Sequence, residues 1–223
     1  MIAFSYRKRW YSLRKTTFSR TSFDECTTDE VLALFRYIDS AAVMLDDKSA
    51  IAEWIDSLGL TERFPLKQLK GFIGPSDSLR GMTIGQWAYI ERACFDYNQS
   101  QTKANKARLL ACMFLKPGKP FTSDGLSIRD RHFSRVPDYA LLAAVQCWGG
   151  VRQFIYSRYP LVFPTKKTEE EVQPTAPEYG KLIISLANGN SDRDIDDIFN
   201  SSLHNILSRL QMRIEEQKKK PGS

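Results

Sequence analysis

Thr83-Ile84-Gly85-Gln86-Trp87-Ala88-Tyr89-Ile90-Glu91-Arg92-Ala93-Cys94-Phe95-Asp96-Tyr97 is the stretch that decides the fold class. It opens as a capping box: a Thr hydroxyl accepts the backbone N–H three residues on, and a Gln at that place reaches back. Trp87, Ile90, Cys94 and Tyr97 then recur at the 3.6-residue period, which makes one buried stripe along a helix.

The same grammar repeats on both sides. Upstream, Thr27-Thr28-Asp29-Glu30 is another capping box, followed by Val31, Leu34, Phe35, Ile38, Ala42 and Leu45 on one face. Ile51, Trp54, Ile55 and Leu58 continue as a second stretch that stops at Gly59. Residues 60–82 hold Pro65, Gly71, Gly74, Pro75 and Gly81 and read as connection, with a short turn at 66–72. Downstream, residues 103–115 put Ala107, Leu110, Ala111 and Phe114 together, and Pro117, Gly118 and Pro120 end that helix. Ser127 is the expected cap of a short helix reaching Phe133. Pro137 suits the first turn of a helix carrying Tyr139 to Tyr156, and Gly149-Gly150 inside it marks a kink, a close helix–helix approach or a helix end, with close packing preferred over a hinge.

The expected class is therefore mainly α. Residues 27–163 form a multi-helical body. Residues 1–26 are a basic, aromatic arm or a short β-hairpin, since Phe4-Ser5-Tyr6 alternates and Thr16, Thr17 and Thr21 favour strand. Residues 164–177, charged and bounded by prolines, form a linker. Residues 178–223 form a small helical unit with a charged tail. Its helices run from Tyr179 to Ala187, over Asp192 to Phe199, and from a cap at Asn200 or Ser201 through Leu203, Ile206, Leu207, Leu210 and Ile214.

Composition fits such a molecule. In 223 residues, 42% are hydrophobic and 26% charged, with 13 Phe, 9 Tyr and 4 Trp, more aromatic content than disordered chains carry. No apolar run approaches the roughly 18 residues of a membrane span. The arm's Arg, Ser and Thr content also resembles a transit peptide, although Trp10, Tyr11, Phe18 and Phe23 fit a cleaved helix poorly. Cys26, Cys94, Cys112 and Cys147 share no CxxC spacing, so a zinc site is not expected; the last three lie among apolar residues as small hydrophobes of a reducing compartment.

The net charge of +6 is laid out in blocks: +6 over residues 1–23, −8 over 24–62, +9 over 63–164 and −1 over 165–223. Arg7, Lys8, Arg9, Trp10, Arg14 and Lys15 admit two readings. They grip a nucleic-acid backbone by stacking and counterion release, or they lie near the acidic segment of this chain or of a neighbouring subunit. The second is preferred, because the adjoining −8 block repels a polyanion.

Catalytic patterns are missing: no P-loop, GxGxxG, GxSxG, HExxH or EF-hand occurs. Asp130 and His132 are two residues apart and do not share a helix face. His204 reads as a surface or capping residue. Asp192, Asp194, Asp196 and Asp197 alternate like a calcium loop, but Asp197 stands at the place of the turn Gly and no Glu closes the loop. Neither an enzyme, a metal nor a cofactor is expected.

The C-terminal residues 179–190 (Tyr-Gly-Lys-Leu-Ile-Ile-Ser-Leu-Ala-Asn-Gly-Asn), with Ile195, Ile198, Leu203, Ile206, Leu207 and Leu210, resemble the ending of small proteins from the tail modules of phages, especially phages of Bacteroidetes hosts. Met82 to Trp87, Leu109-Leu110-Ala111 and Arg135-Val136-Pro137 extend the resemblance over residues 82–215. This sequence has Tyr179 where a Trp is more usual. The family is described as tail-assembly or tape-measure chaperones. The resemblance implies a non-enzymatic morphogenesis protein of the infected host's cytoplasm, which keeps a long apolar helical partner soluble. Leu203, Ile206, Leu207 and Leu210 are the expected partner-binding face, by docking a helix in a groove. Alternatives are a neck, connector or tail component retained in the virion, and a nucleic-acid-binding module using the basic arm; self-association fits either protein-binding reading.

Overall fold

In the computed structural model, residues 2–6, 16–20, 23–39, 61–164, 178–187 and 191–219 are described. The protein is mainly α, with eight α-helices among these residues. The body contains α1 (Thr28–Asp39), α2 (Ile84–Gln99), α3 (Lys103–Met113), α4 (Leu126–Phe133) and α5 (Asp138–Arg158). The C-terminal part contains α6 (Tyr179–Leu186), α7 (Asp192–Phe199) and α8 (Leu203–Lys219). At the N-terminus β1 (Ile2–Tyr6) and β2 (Thr16–Arg20) pair antiparallel, with Phe4 opposite Phe18. The second helical stretch expected around Ile51 to Leu58 lies outside the described residues, as does the expected linker beyond Pro164.

Local chemistry sets the helix starts. Glu30 accepts the Thr27 backbone N–H at 2.9 Å, and Thr27 Oγ1 accepts the Glu30 N–H at 3.3 Å, so this capping box is complete. The box at α2 is half made. Thr83 Oγ1 accepts the Gln86 N–H at 3.1 Å, but Gln86 is buried and sends its amide to the Cys112 carbonyl at 3.0 Å. An unpartnered buried amide costs more than an unmade cap contact at the surface, so the tertiary partner wins. Thr102 caps α3 through the Asn105 N–H at 3.1 Å. Ser127 is not a cap: α4 begins at Leu126, after Gly125, with no side-chain cap. The last helix likewise starts after Ser202 rather than after Asn200 or Ser201.

The expected turn at 66–72 is a hairpin. β3 (Gln68–Leu69) and β4 (Phe72–Ile73) are joined by Lys70-Gly71, whose φ angles are +50° and +79°. Two consecutive positive φ values are what a primed turn requires. Ile73 then exchanges both backbone hydrogen bonds with Leu115, at 2.8 and 2.9 Å, which ties the hairpin to the end of α3.

Trp87 of α2 and Trp148 of α5 meet at the centre with ring centroids 5.1 Å apart, both buried. Each indole takes roughly 200 Å² out of water, worth on the order of 5 kcal/mol. α1 lies along α5, while α3 packs against both α2 and α4. α5 runs unbroken through Gly149-Gly150. A Cβ on Gly150 would stand 2.4 Å from Thr61 Cγ2, so that glycine is closely packed, against a residue outside the helices rather than against another helix; Gly149 faces open space.

The C-terminal helices dock on α2. Leu203 N donates to Met82 O and Ile84 N to Ser201 O, each at 2.9 Å. Phe199 lies on Gly85, where a Cβ would meet its ring at 2.5 Å. Tyr179 sets its ring edge-on to Trp87 at 6.5 Å. Leu203, Ile206 and Leu207 are 0–2% exposed and belong to the same core as Trp87. A unit of about 40 residues cannot seal a core alone, so it borrows one.

Candidate functional site

The expected partner-binding face is therefore turned inward. Leu203, Ile206 and Leu207 are sealed within the protein, and Leu210 is half-buried against the same core. Among the described residues, Leu203, Ile206 and Leu207 leave next to no surface for a partner. The 3.6-residue pattern reports a buried stripe without saying what buries it.

A groove does exist one layer out. α2 turns Trp87 and Ile90 inward, which leaves Ala88, Tyr89 and Arg92 on the neighbouring face. α6 brings Tyr179, Ile183 and Ile184 alongside, and α7 closes the third wall with Ile195 and Phe199. The space between these walls is about 680 Å³, within the usual range for ligand sites. Its rim charges are already paired: Arg92 with Asp96 at 2.9 Å, and Lys181 with Glu178 at 2.6 Å. What remains open is apolar, and Ile184 is 51% exposed.

Beneath it lies a buried polar cluster that the sequence reading missed. Glu91, 3% exposed, accepts the Trp148 indole N–H at 3.0 Å and the Tyr156 hydroxyl at 3.4 Å, and pairs with Arg152 at 2.9 Å. Arg152 donates to the Tyr156 hydroxyl at 2.9 Å and lies over its ring. Burial pushes the Glu91 carboxyl up, against the pull of Arg152, Trp148 and Tyr156. Burial and the Glu91 charge also push the Tyr156 and Tyr179 hydroxyls up. With both carboxylate oxygens engaged and no lining position in the groove, Glu91 locks α2 to α5 rather than meeting a ligand. One signal was available: Glu91 directly follows the inward Ile90.

His204 is half-buried and tied on both ring nitrogens. Its Nε2 lies 2.6 Å from the Ser78 carbonyl, which can only accept, so Nε2 carries the proton. Nδ1 then accepts the Tyr159 hydroxyl at 2.8 Å. The ring thus ties α8 to the end of α5 and to the 77–79 turn. Arg129 is a buried cation read only from the structure. It caps the end of α3 through the Ala111 carbonyl at 2.9 Å and also donates to Thr122 O at 3.1 Å.

The remaining candidates are kept apart. Asp130 pairs with Arg108 at 2.7 Å, whereas His132 rests on Phe72 with ring centroids 5.3 Å apart. Ser191 and Asp194 form the cap of α7, with the Asp194 N–H on Ser191 Oγ at 3.2 Å. Among the described residues no group of three or more His, Cys, Asp or Glu could hold a metal, and no helix is long and apolar enough to cross a membrane. Burial pushes the Cys112 and Cys147 thiols up to about 12, so neither is a ready nucleophile. Arg7, Lys8, Arg9, Trp10, Arg14 and Lys15 lie outside the described residues.

The fold and groove define a helical protein with an apolar seat between its body and its docked C-terminal helices. Comparison with known protein families, curated proteins and solved structures finds no match for this chain.

Proposed function

We propose that this protein is a non-enzymatic phage morphogenesis factor, a tail-assembly chaperone that covers an apolar helix of a tape-measure protein in the infected host's cytoplasm. The observation that carries the reading is the groove between α2, α6 and α7: apolar walls, rim charges already paired and an exposed Ile184. An amphipathic helix seats its i, i+3 and i+4 side chains in a groove of this kind. The resemblance over residues 82–215 supplies the identity of the helix. Modest affinity, in the micromolar range, suits a cover that must later be displaced.

The test is co-purification with the long helical protein encoded beside it, followed by titration with its isolated segments. Ile184→Asp should weaken binding at least about tenfold, because a carboxylate cannot enter an apolar seat. Ile128→Asp, at a position 58% exposed and away from the groove, should leave it unchanged. Equal binding by both variants refutes the groove. Mass spectrometry of purified particles settles retention, since a chaperone departs and a structural component stays.

A further inference from the structure

The +9 block of residues 63–164 gathers part of its charge in one place. A second cleft, about 890 Å³, is walled by the β3–β4 turn, the start of α3 and the segment from the end of α4 to Arg135. Its two carboxylates are already neutralised, Asp96 by Arg92 and Asp130 by Arg108. Lys70, Lys103, Arg131 and Arg135 also line it, all exposed and without an acidic partner among the described residues.

Two of these placements work against the fold. Lys70 holds φ +50° at the first position of a primed turn, where Asn or Gly fits with less strain. Lys103 opens α3 with no acid in the first turn, and a cation there opposes the helix dipole. An anion in the cleft accounts for both.

We propose that this cleft binds the phosphate backbone of a nucleic acid. Four cations spread over three chain segments suit a line of phosphates better than a single one. A protein partner draws its affinity from large apolar anchors, and the only apolar lining here is Ala104 and Ala107. Binding by counterion release needs no anchor. The site shares no lining residue with the apolar groove, and it does not depend on the chaperone reading.

The experiment measures anisotropy of labelled single-stranded and duplex DNA, about 30 nucleotides long, with the full chain between about 50 and 200 mM salt. Replacing Lys70, Lys103, Arg131 and Arg135 by Glu should weaken binding at least about thirtyfold at the lower salt. It should also flatten the salt slope by about 3, roughly one contact per cation lost. The milder pair Lys70→Asn and Arg135→Gln, which keeps the turn and tests the idea if the quadruple variant misfolds, should flatten the slope by about 1.5. The ratio of the two DNA arms assigns the preferred strand form. No binding at about 50 mM salt, or binding unchanged by either cleft variant but abolished by Arg7→Ser with Lys8→Ser and Arg9→Ser, overturns the proposal. Polyglutamate binding as tightly as DNA with the same dependence on the cleft also overturns it, in favour of an acidic protein.

Discussion

Replacing Gly85 by Ala tests how the C-terminal helices are held. The new Cβ would stand 2.5 Å from Cγ, Cδ2 and Cε2 of Phe199. Ordinary carbon contacts lie at about 3.5–4.0 Å, so the ring must retreat by roughly 1 Å. The ring borders the open groove on one side, but a retreat disturbs its packing elsewhere. Phe199 packs on Tyr89 and Phe121, with centroids 6.0 and 6.2 Å away, and the two backbone bonds that follow it fix the chain. Ala gains up to about 1 kcal/mol over Gly inside a helix, and less in the first turn where Gly85 stands. Overpacking costs about 1–3 kcal/mol. The net expectation is a loss of about 1–2 kcal/mol in the docking of α7 and α8. Hydrogen exchange at the Leu203 and Ile84 amides reads this directly, because both bonds bridge the two parts, and exchange should speed up about tenfold. In a Phe199→Leu background the substitution should become neutral or stabilising. Unchanged exchange and unchanged urea stability in the single variant would refute the reasoning. A cost that persists without the Phe199 ring would assign it to something else.

Two further outcomes are expected. Gly150→Ala forces a methyl to 2.4 Å from Thr61 Cγ2 and should lower stability by about 1–2 kcal/mol, with recovery when Thr61→Ser removes that methyl. Gly149→Ala, facing open space in the same helix, should raise it by up to about 1 kcal/mol; thermal unfolding of the pair decides. For Glu91, burial lifts the folded carboxyl above its ordinary 4.5, so the folded state holds the proton more tightly than the unfolded chain. The contribution of this group to stability is then largest below that pH and falls as pH climbs toward the raised value. Glu91→Gln should flatten that part of the stability–pH curve, and coincident slopes for variant and parent would contradict the assignment.

Much of the helical framework was legible because its signals are local. The Thr27 and Thr83 boxes, the stripe Trp87, Ile90 and Cys94, and Pro137 before α5 each depend on neighbours within a turn or two. Where the sequence reading slipped, a distant group intervened. Gln86 left its cap for the Cys112 carbonyl, and His204 turned inward because Ser78 and Tyr159 offered it two partners.

By itself the sequence determined the mainly α class, most helix starts and the apolar stripe of α8, since periodicity and capping are short-range physics. Only the tertiary structure decided what that stripe covers, where an apolar groove stays open and which cations converge on one cleft. Those outcomes depend on how helices far apart in the chain meet. A Gly85 that admits Phe199 looks like any other glycine until the partner ring is in place.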